Sequence, residues 1–407
     1  MSNTLSRVGT ASTYASAIQN LQTRQSSLSQ LQENLTAGKR VVRASDDPTA
    51  AAQAERATTR IARIAADQRA LSAQRDTVSQ AESTLGDATD ALQSFRQLMV
   101  NAGNGALSVS DRASIAEQLT TLRDQVFSYA NQRDSNGVPL FSALGSTAVP
   151  FTNGSTVQFN GLGGQRDGGP AGVAPTIDGQ ATFMNVATGN GTFTVATGAA
   201  NTGTVSADAG QVTAPSAVQS HNYSIAFAVD ATTGATTYTV TDTTSGAAPL
   251  VGAATGTYQP GKAIAFDGIA LTPSGTPANG DTLQVAPSST SDLFAVMDQA
   301  IANVRNAPVG TGALSTGIAQ SLSQIDTGMA RVQSARGFAG DMLNRADRIT
   351  DSNTAHSTQA EGERSSAEDL DMIKGLSDFQ NQQTGYSAAL SSYAQIQKLS
   401  LFNFING

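Results

Sequence analysis

Ile64, Leu71, Val78, Leu85, Leu92 and Met99 follow one another at steps of seven. Toward the other end of the chain Ile318, Leu322, Ile325, Met329 and Val332, and then Met372, Leu376, Phe379, Tyr386, Leu390 and Tyr393, keep steps of three, four or seven. A seven-residue apolar repeat requires a helix to lie along other helices. Between the two sets lies a β-like stretch, residues 146–288, in which Arg166 and Lys262 are the only basic residues. The order predicts an α+β multidomain fold. The N- and C-terminal segments pair into a long helical bundle or coiled coil, and a central all-β domain is inserted between them.

The 407 residues leave room for two or three domains. The net charge is −8, with only 14% charged residues, the wrong sign for nucleic acid, which needs clustered Lys and Arg to displace counterions. There is no Cys, so no disulfide or thiol chemistry is available. Aromatic residues make up 5% and Trp is absent, a composition suited to narrow bundles rather than deep catalytic pockets. Behind Met1–Thr10 there is no apolar run of a secretory signal, and nowhere is there an apolar run of about 18 residues. The expectation is a soluble chain with no membrane insertion, which leaves the cell, if it does so, without a cleaved signal peptide.

Both ends carry a seam with few charges. Tyr14, Ile18, Leu21, Leu28 and Leu35 share one face, and up to Gly38 the only charges are Arg7, Arg24 and Glu33. From Ser377 onward only Asp378 and Lys398 are charged. An ordinary surface helix carries many charges on its wet side. Here Ser, Thr, Asn and Gln take those places, and they pair with neighbouring helices without the cost of burying a charge. These ends are expected to be packed by other copies and disordered in the isolated monomer. The predicted assembly interface is Leu21, Leu28, Leu35, Phe379, Tyr386, Leu390, Tyr393, Ile396, Leu399, Leu401 and Phe402.

Local signals divide the rest. Gly38 ends the first helix, and Ser45-Asp46-Asp47-Pro48 starts the second with an Asp cap and Pro at the first helical position. That helix runs to about Val100, and Ser108 with Asp111 opens a return helix as a capping box. Tyr223–Val229 and Thr237–Thr241 alternate with period two around Thr233-Gly234, a β-hairpin pattern. Ala263–Phe266, Ile269–Leu271 and Thr282–Val285 are expected to continue it as a meander, with helix resuming at Asp292.

No catalytic, cofactor or metal site emerges. His221 and His356 each stand alone, and no G-x-S-x-G elbow occurs. The Gly161–Gly169 and Gly310–Gly317 stretches lack the strand, helix or Lys of a phosphate loop and are expected to be plain loops. Glu361, Glu363, Glu368, Asp369 and Asp371 could hold a cation but more simply decorate a helix N-terminus. Arg56, Arg60 and Arg63 share a face that is either solvated or part of an intersubunit ladder.

Leu35-Thr-Ala-Gly38-Lys39-Arg40, a short spacer, and Ser45-Asp46-Asp47-Pro48 closely resemble the N-terminal motif of the flagellin superfamily. The Ser-Asp-Asp-Pro ending looks like its hook–filament junction branch, because filament flagellins usually lack that Pro. Asp111-Arg112 with Ile115-Ala116, and Ala130–Gly137 followed by Leu140-Phe141-Ser142, are similar to the family's return helix and its exit into the outer domain. At that exit Pro139 and Ala143 depart from the usual Tyr-Leu-Phe-Ser-Gly. Gly275–Val285 and the tail from Tyr386 to Ile405 also resemble the junction branch. Residues from about 146 to 220 carry no part of this resemblance.

The resemblance implies a structural, non-enzymatic part of the bacterial flagellum, passed outside the cell by type III export and assembled as a ring between hook and filament. Its implied partners are further copies of itself, the larger hook-associated junction protein, flagellin, and an export chaperone on the C-terminal helix. Residues 1–40 with 365–407 would form the terminal coiled-coil region. Residues 41–145 with 289–364 would form a helical rod domain, and residues 146–288 an outer β-rich domain. The alternatives are filament flagellin itself and, more remotely, a flagellar rod whose outer domain is a hydrolase or glycan-binding module.

Overall fold

The computed structural model describes residues 10–145 and 149–405, with side chains over 15–145 and 149–395. Six helices carry the architecture: α1 Thr10–Ala37, α2 Pro48–Ala102, α3 Val109–Ala130, α4 Leu293–Asn306, α5 Ala313–Glu368 and α6 Met372–Ile405. The chain divides into two compact units, one from the N-terminus to Arg69 together with Thr350 onward, the other Ala70–Ile349.

In the first unit α1 and α6 run antiparallel. Leu35 lies against Gly375, where a Cβ would come within 3.3 Å of Leu35, and Arg24 lies against Gly385, where a Cβ would come within 2.8 Å of Arg24 Nη1. Two long helices approach here because both positions lack a side chain. The start of α2 and the end of α5 are also antiparallel. Arg60 Nη1 meets Glu363 Oε2 at 2.8 Å, and Gln68 Nε2 donates to Thr350 Oγ1 at 3.0 Å.

In the second unit the heptads are fully used. Leu71, Val78, Leu85, Leu92 and Met99 are buried against Ile318, Ile325, Val332, Ala339 and Ala346, themselves at steps of seven along α5. The wet edge of this seam holds Arg96–Asp326 at 2.7 Å, Arg336–Glu82 at 2.7 Å and Arg75–Asp347 at 3.2 Å, partner numbers falling as the first rise, as antiparallel helices require. Ser108 and Asp111 form the expected capping box on α3, and Asp292 caps α4. Phe141, Phe151, Phe183 and Phe294 interlock through ring contacts of 5.5 to 6.0 Å and join α4 to the loops that follow α3.

The hairpin forms as expected, Tyr223–Val229 against Thr236–Asp242 with seven facing pairs. Asp230 Oδ1 accepts from Thr232 and Thr233 N–H, and Gly234 takes φ +67°, which favours glycine. The meander does not. Thr282–Pro287 inserts between Tyr223–Val229 and Phe193–Thr197 in the five-stranded sheet, while Ile264–Phe266 and Ile269–Leu271 pair with each other and with Gln211–Val212 in a separate sheet. Local alternation fixes which face of a strand is apolar but not its neighbour, and Leu283 and Val285 bury as well in the centre of a sheet as at its edge. His221 is likewise not alone: its Nδ1 lies 2.7 Å from Asp242 Oδ2.

Candidate assembly site

Between α1 and α2 the chain makes a tight loop, and the motif residues build it. Gly38 follows the last turn of α1 with φ +68°, so Lys39 N–H can reach back to Asn34 O at 3.1 Å. Asp46 Oδ2 accepts from Val42 and Arg43 N–H at 3.1 and 2.8 Å, curling the loop around its carboxylate. Asp47 Oδ1 accepts from Thr49 and Ala50 N–H, with Pro48 as the first helical residue, where a missing N–H costs nothing. These N–H groups, the Ala50 bond first and the Arg40 guanidinium next, hold the Asp47 carboxyl below its ordinary pKa. Ser45 is exposed.

This loop is tied to the break between α5 and α6. Arg40 N–H donates to Glu368 O at 2.7 Å, Leu370 N–H donates to Gly38 O at 3.0 Å, and Lys39 and Asp369 face each other as an antiparallel bridge. Side chains repeat the connection. Arg40 Nη2 reaches Ala367 O at 2.7 Å, and Lys39 Nζ meets Glu368 Oε2 at 3.1 Å. Asp371 Oδ1 accepts from Ile373 and Lys374 N–H and starts α6.

One expectation about charge is corrected here. Of the acidic group only Asp371 sits at a helix start. Glu361, Glu363 and Glu368 lie in the last turns of α5, and Arg60 and Lys39 neutralise Glu363 and Glu368. Arg56, Arg60 and Arg63 are all exposed, as a solvated face requires, and Arg60 also bridges to Glu363 within the chain. Among the described residues no group of three or more His, Asp or Glu is arranged to hold a metal ion, and no helix is long and apolar enough to cross a membrane.

The seam residues fall in two groups. Leu21, Leu28 and Leu35 on α1, with Phe379, Tyr386 and Tyr393 on α6, are half-buried and share the facing sides of the pair. Leu390 is 42% exposed, and with Met372 at 52%, Ile373 at 87% and Leu376 at 51% it leaves an apolar flank of α6 uncovered. The side chains of Ile396, Leu399, Leu401 and Phe402 lie outside the described residues, although their backbone belongs to α6. The loop-to-break clamp went unseen in the sequence because its two halves are hundreds of residues apart and its acceptors are main-chain carbonyls.

Residues 8–146 match the bacterial flagellin N-terminal helical region. A flagellar hook-associated protein 3 of Salmonella typhimurium is 33% identical over 186 residues, 44% of this chain and 54% of that protein. One from Escherichia coli is 39% identical over 128 residues, 30% of this chain and 38% of that protein. The alignments thus span about half or less of these curated relatives. The crystal structure of flagellar hook associated protein-3 from Legionella pneumophila superposes with a TM-score of 0.68 at 29% identity, covering 76% of this chain and 97% of that one.

Two long terminal helical arms, a β-rich middle and a Gly-Lys-Arg…Ser-Asp-Asp-Pro loop that fastens one arm to the other make a flagellin-like architecture, similar over its first third to the flagellin N-terminal helical region. Among the relatives named above, the likeness is to flagellar hook-associated protein 3.

Proposed function

We propose that the protein is a structural component of the bacterial flagellum that forms the junction between hook and filament. The observation that carries this reading is the terminal helix pair. Its seam is only half covered by its own partner, and beside it Leu376 and Leu390 present uncovered apolar surface. A helix of this kind is completed by more helices, as a tube of intertwined copies would supply. The likeness to hook-associated protein 3 supports the same reading.

On this reading residues 1–40 and 365–407 line the inner tube, 41–145 and 289–364 form the outer helical wall, and 146–288 project outward. The assembly interface is the seam named above, and the Gly38–Pro48 loop fixes the angle at which the inner arms meet the wall. The partners are further copies, the larger hook-associated protein on the hook side and flagellin on the filament side. Before assembly an export chaperone covers α6, whose apolar flank would otherwise aggregate. The role is architectural and not catalytic, and the protein works outside the cell.

Deleting the coding sequence from its own bacterium should leave hooks without attached filaments and release flagellin into the medium, with the full-length chain restoring attachment. Normal attached filaments in the deletion strain would overturn the proposal. Long filaments formed by the purified protein alone would instead favour filament flagellin.

A further inference from the structure

Two clefts of 360 and 450 Å³ open side by side along one flank of α5, and Gln165 and Phe338 line both. The Phe338 ring is 41% exposed and stands between them. Ile177 and Ala335 line one cleft and Val173 and Met342 the other, giving both an apolar floor.

The rim carries four arginines, Arg166, Arg331, Arg345 and Arg348, none of them paired with a carboxylate among the described residues. Arg75, Arg96, Arg123, Arg305 and Arg336 each hold a carboxylate. Arg166, Arg331 and Arg345 reach only main-chain carbonyls, of Leu144, Ala181 and Gly169. Arg348 is exposed and makes no hydrogen bond or ion pair among the described residues. Three acids share the rim. Asp178 is engaged by Gly164, Gln180 and Ala181 N–H and Asp167 by Gly169 N–H, which leaves Asp341 as the only one without a partner among the described residues. Exposed aromatic and arginine side chains around an apolar floor are the composition of a protein interface.

The complementary surface is on the same unit. Asp76, Asp87 and Asp90 are exposed on α2 and have no cationic partner among the described residues, and from Asp76 to Phe95 that helix carries no Lys or Arg. With four arginines against three aspartates the paired clefts carry a net charge of +1, so the cleft of one molecule suits the acidic face of another better than it suits a second cleft. Contacts between unlike faces repeat head to tail and close into a ring when the rotation allows.

We infer that the Phe338 cleft is the docking site for the Asp76–Asp90 face of α2 in a second copy of this chain, and that this contact is the lateral joint of the ring. The inference rests on the junction reading and names its self-contact. The absence of Cys makes the test specific, because any introduced cysteine is unique. Arg348→Cys and Asp87→Cys remove no hydrogen bond or ion pair found among the described residues, so both variants should fold.

Flagella isolated from cells carrying both substitutions are treated with a flexible bismaleimide. Dimers, trimers and larger species of this chain are expected in the double variant and not in either single variant. Three results would overturn the inference: a double variant located at the junction but monomeric on the gel, equal cross-linking of Arg348→Cys alone, or cross-links to flagellin only. If the protein is absent from flagella, the junction reading falls by itself, and the same treatment of the concentrated purified double variant decides self-docking: a ladder retains it and monomer removes it.

Discussion

Arg40 Nη2 donates to the main-chain carbonyl of Ala367 at 2.7 Å, joining residues 327 positions apart. The same guanidinium meets Asp47 at 3.2 Å, so one side chain connects the first loop, the start of α2 and the end of α5. Arg40→Ala should remove both bonds and speed amide exchange at Val41 and Leu370, whose N–H groups bond across this joint. The loss of local stability should be about 1–2 kcal/mol, the scale of a partly exposed hydrogen bond to a charged donor. Unchanged exchange at both amides would show that the main-chain bonds hold the joint by themselves.

Arg123 is the most buried of the ion-paired arginines. Its side chain is 6% exposed and bonds Asp298 through Nε and Nη2 at 3.0 and 3.2 Å. Its guanidinium lies 5.4 and 5.7 Å from the Phe127 and Phe294 ring centres. Arg123→Ala should destabilise the helical unit by about 2–4 kcal/mol, because α3 and α4 lose both a forked ion pair and a cation–π contact. Arg123→Lys should recover only part of this, since an ammonium cannot fork. Denaturant midpoints followed by far-ultraviolet circular dichroism measure both, and equal stabilities for Arg and Lys would refute the role of the fork.

Acid should loosen the β-rich part through Asp242. Burial acts to raise its pKa, but hydrogen bonds from Ser245 through side chain and backbone, from His221 and from Thr244 N–H outweigh it and bring the value to about 2. In the unfolded chain the carboxyl protonates near its ordinary 3.8. A depressed value means the stabilisation is complete above the unfolded pKa and is lost as pH falls through the folded one. The window is therefore from about pH 4 down to about pH 2. Near-ultraviolet circular dichroism of the tyrosines should show this transition in the native chain and a flatter one in Asp242→Asn. Identical acid profiles would contradict it.

The two seam leucines separate folding from assembly. Leu28 is half-buried against α6, so Leu28→Asp should weaken the terminal pair by about 2–4 kcal/mol as well as block assembly. Leu390 is 42% exposed in the single chain, so Leu390→Asp should change monomer stability by no more than about 0.5 kcal/mol and still prevent assembly. Thermal unfolding of the purified variants, set beside filament attachment in cells, checks this. Attached filaments with Leu390→Asp would remove that flank of α6 from the interface.

What the sequence revealed was local. The heptads of α2 and α5, the Asp47–Pro48 start, the Ser108–Asp111 capping box and the hairpin around Gly234 each follow from a handful of neighbouring residues. What it hid was pairing over distance. Thr282–Pro287 carries the same alternation as an edge strand yet fills the middle of a sheet. His221 looks solitary until the hairpin register brings Asp242 beside it. The clamp from Arg40 to Ala367 uses a carbonyl, which every residue has, so no residue type announces it.

The most direct test of the account is immunogold electron microscopy of isolated flagella carrying this protein with an epitope tag in the exposed Ala231–Gly234 turn. Gold confined to a single band where hook meets filament is the predicted result. Label spread along the filament, or missing from the flagellum, would contradict it.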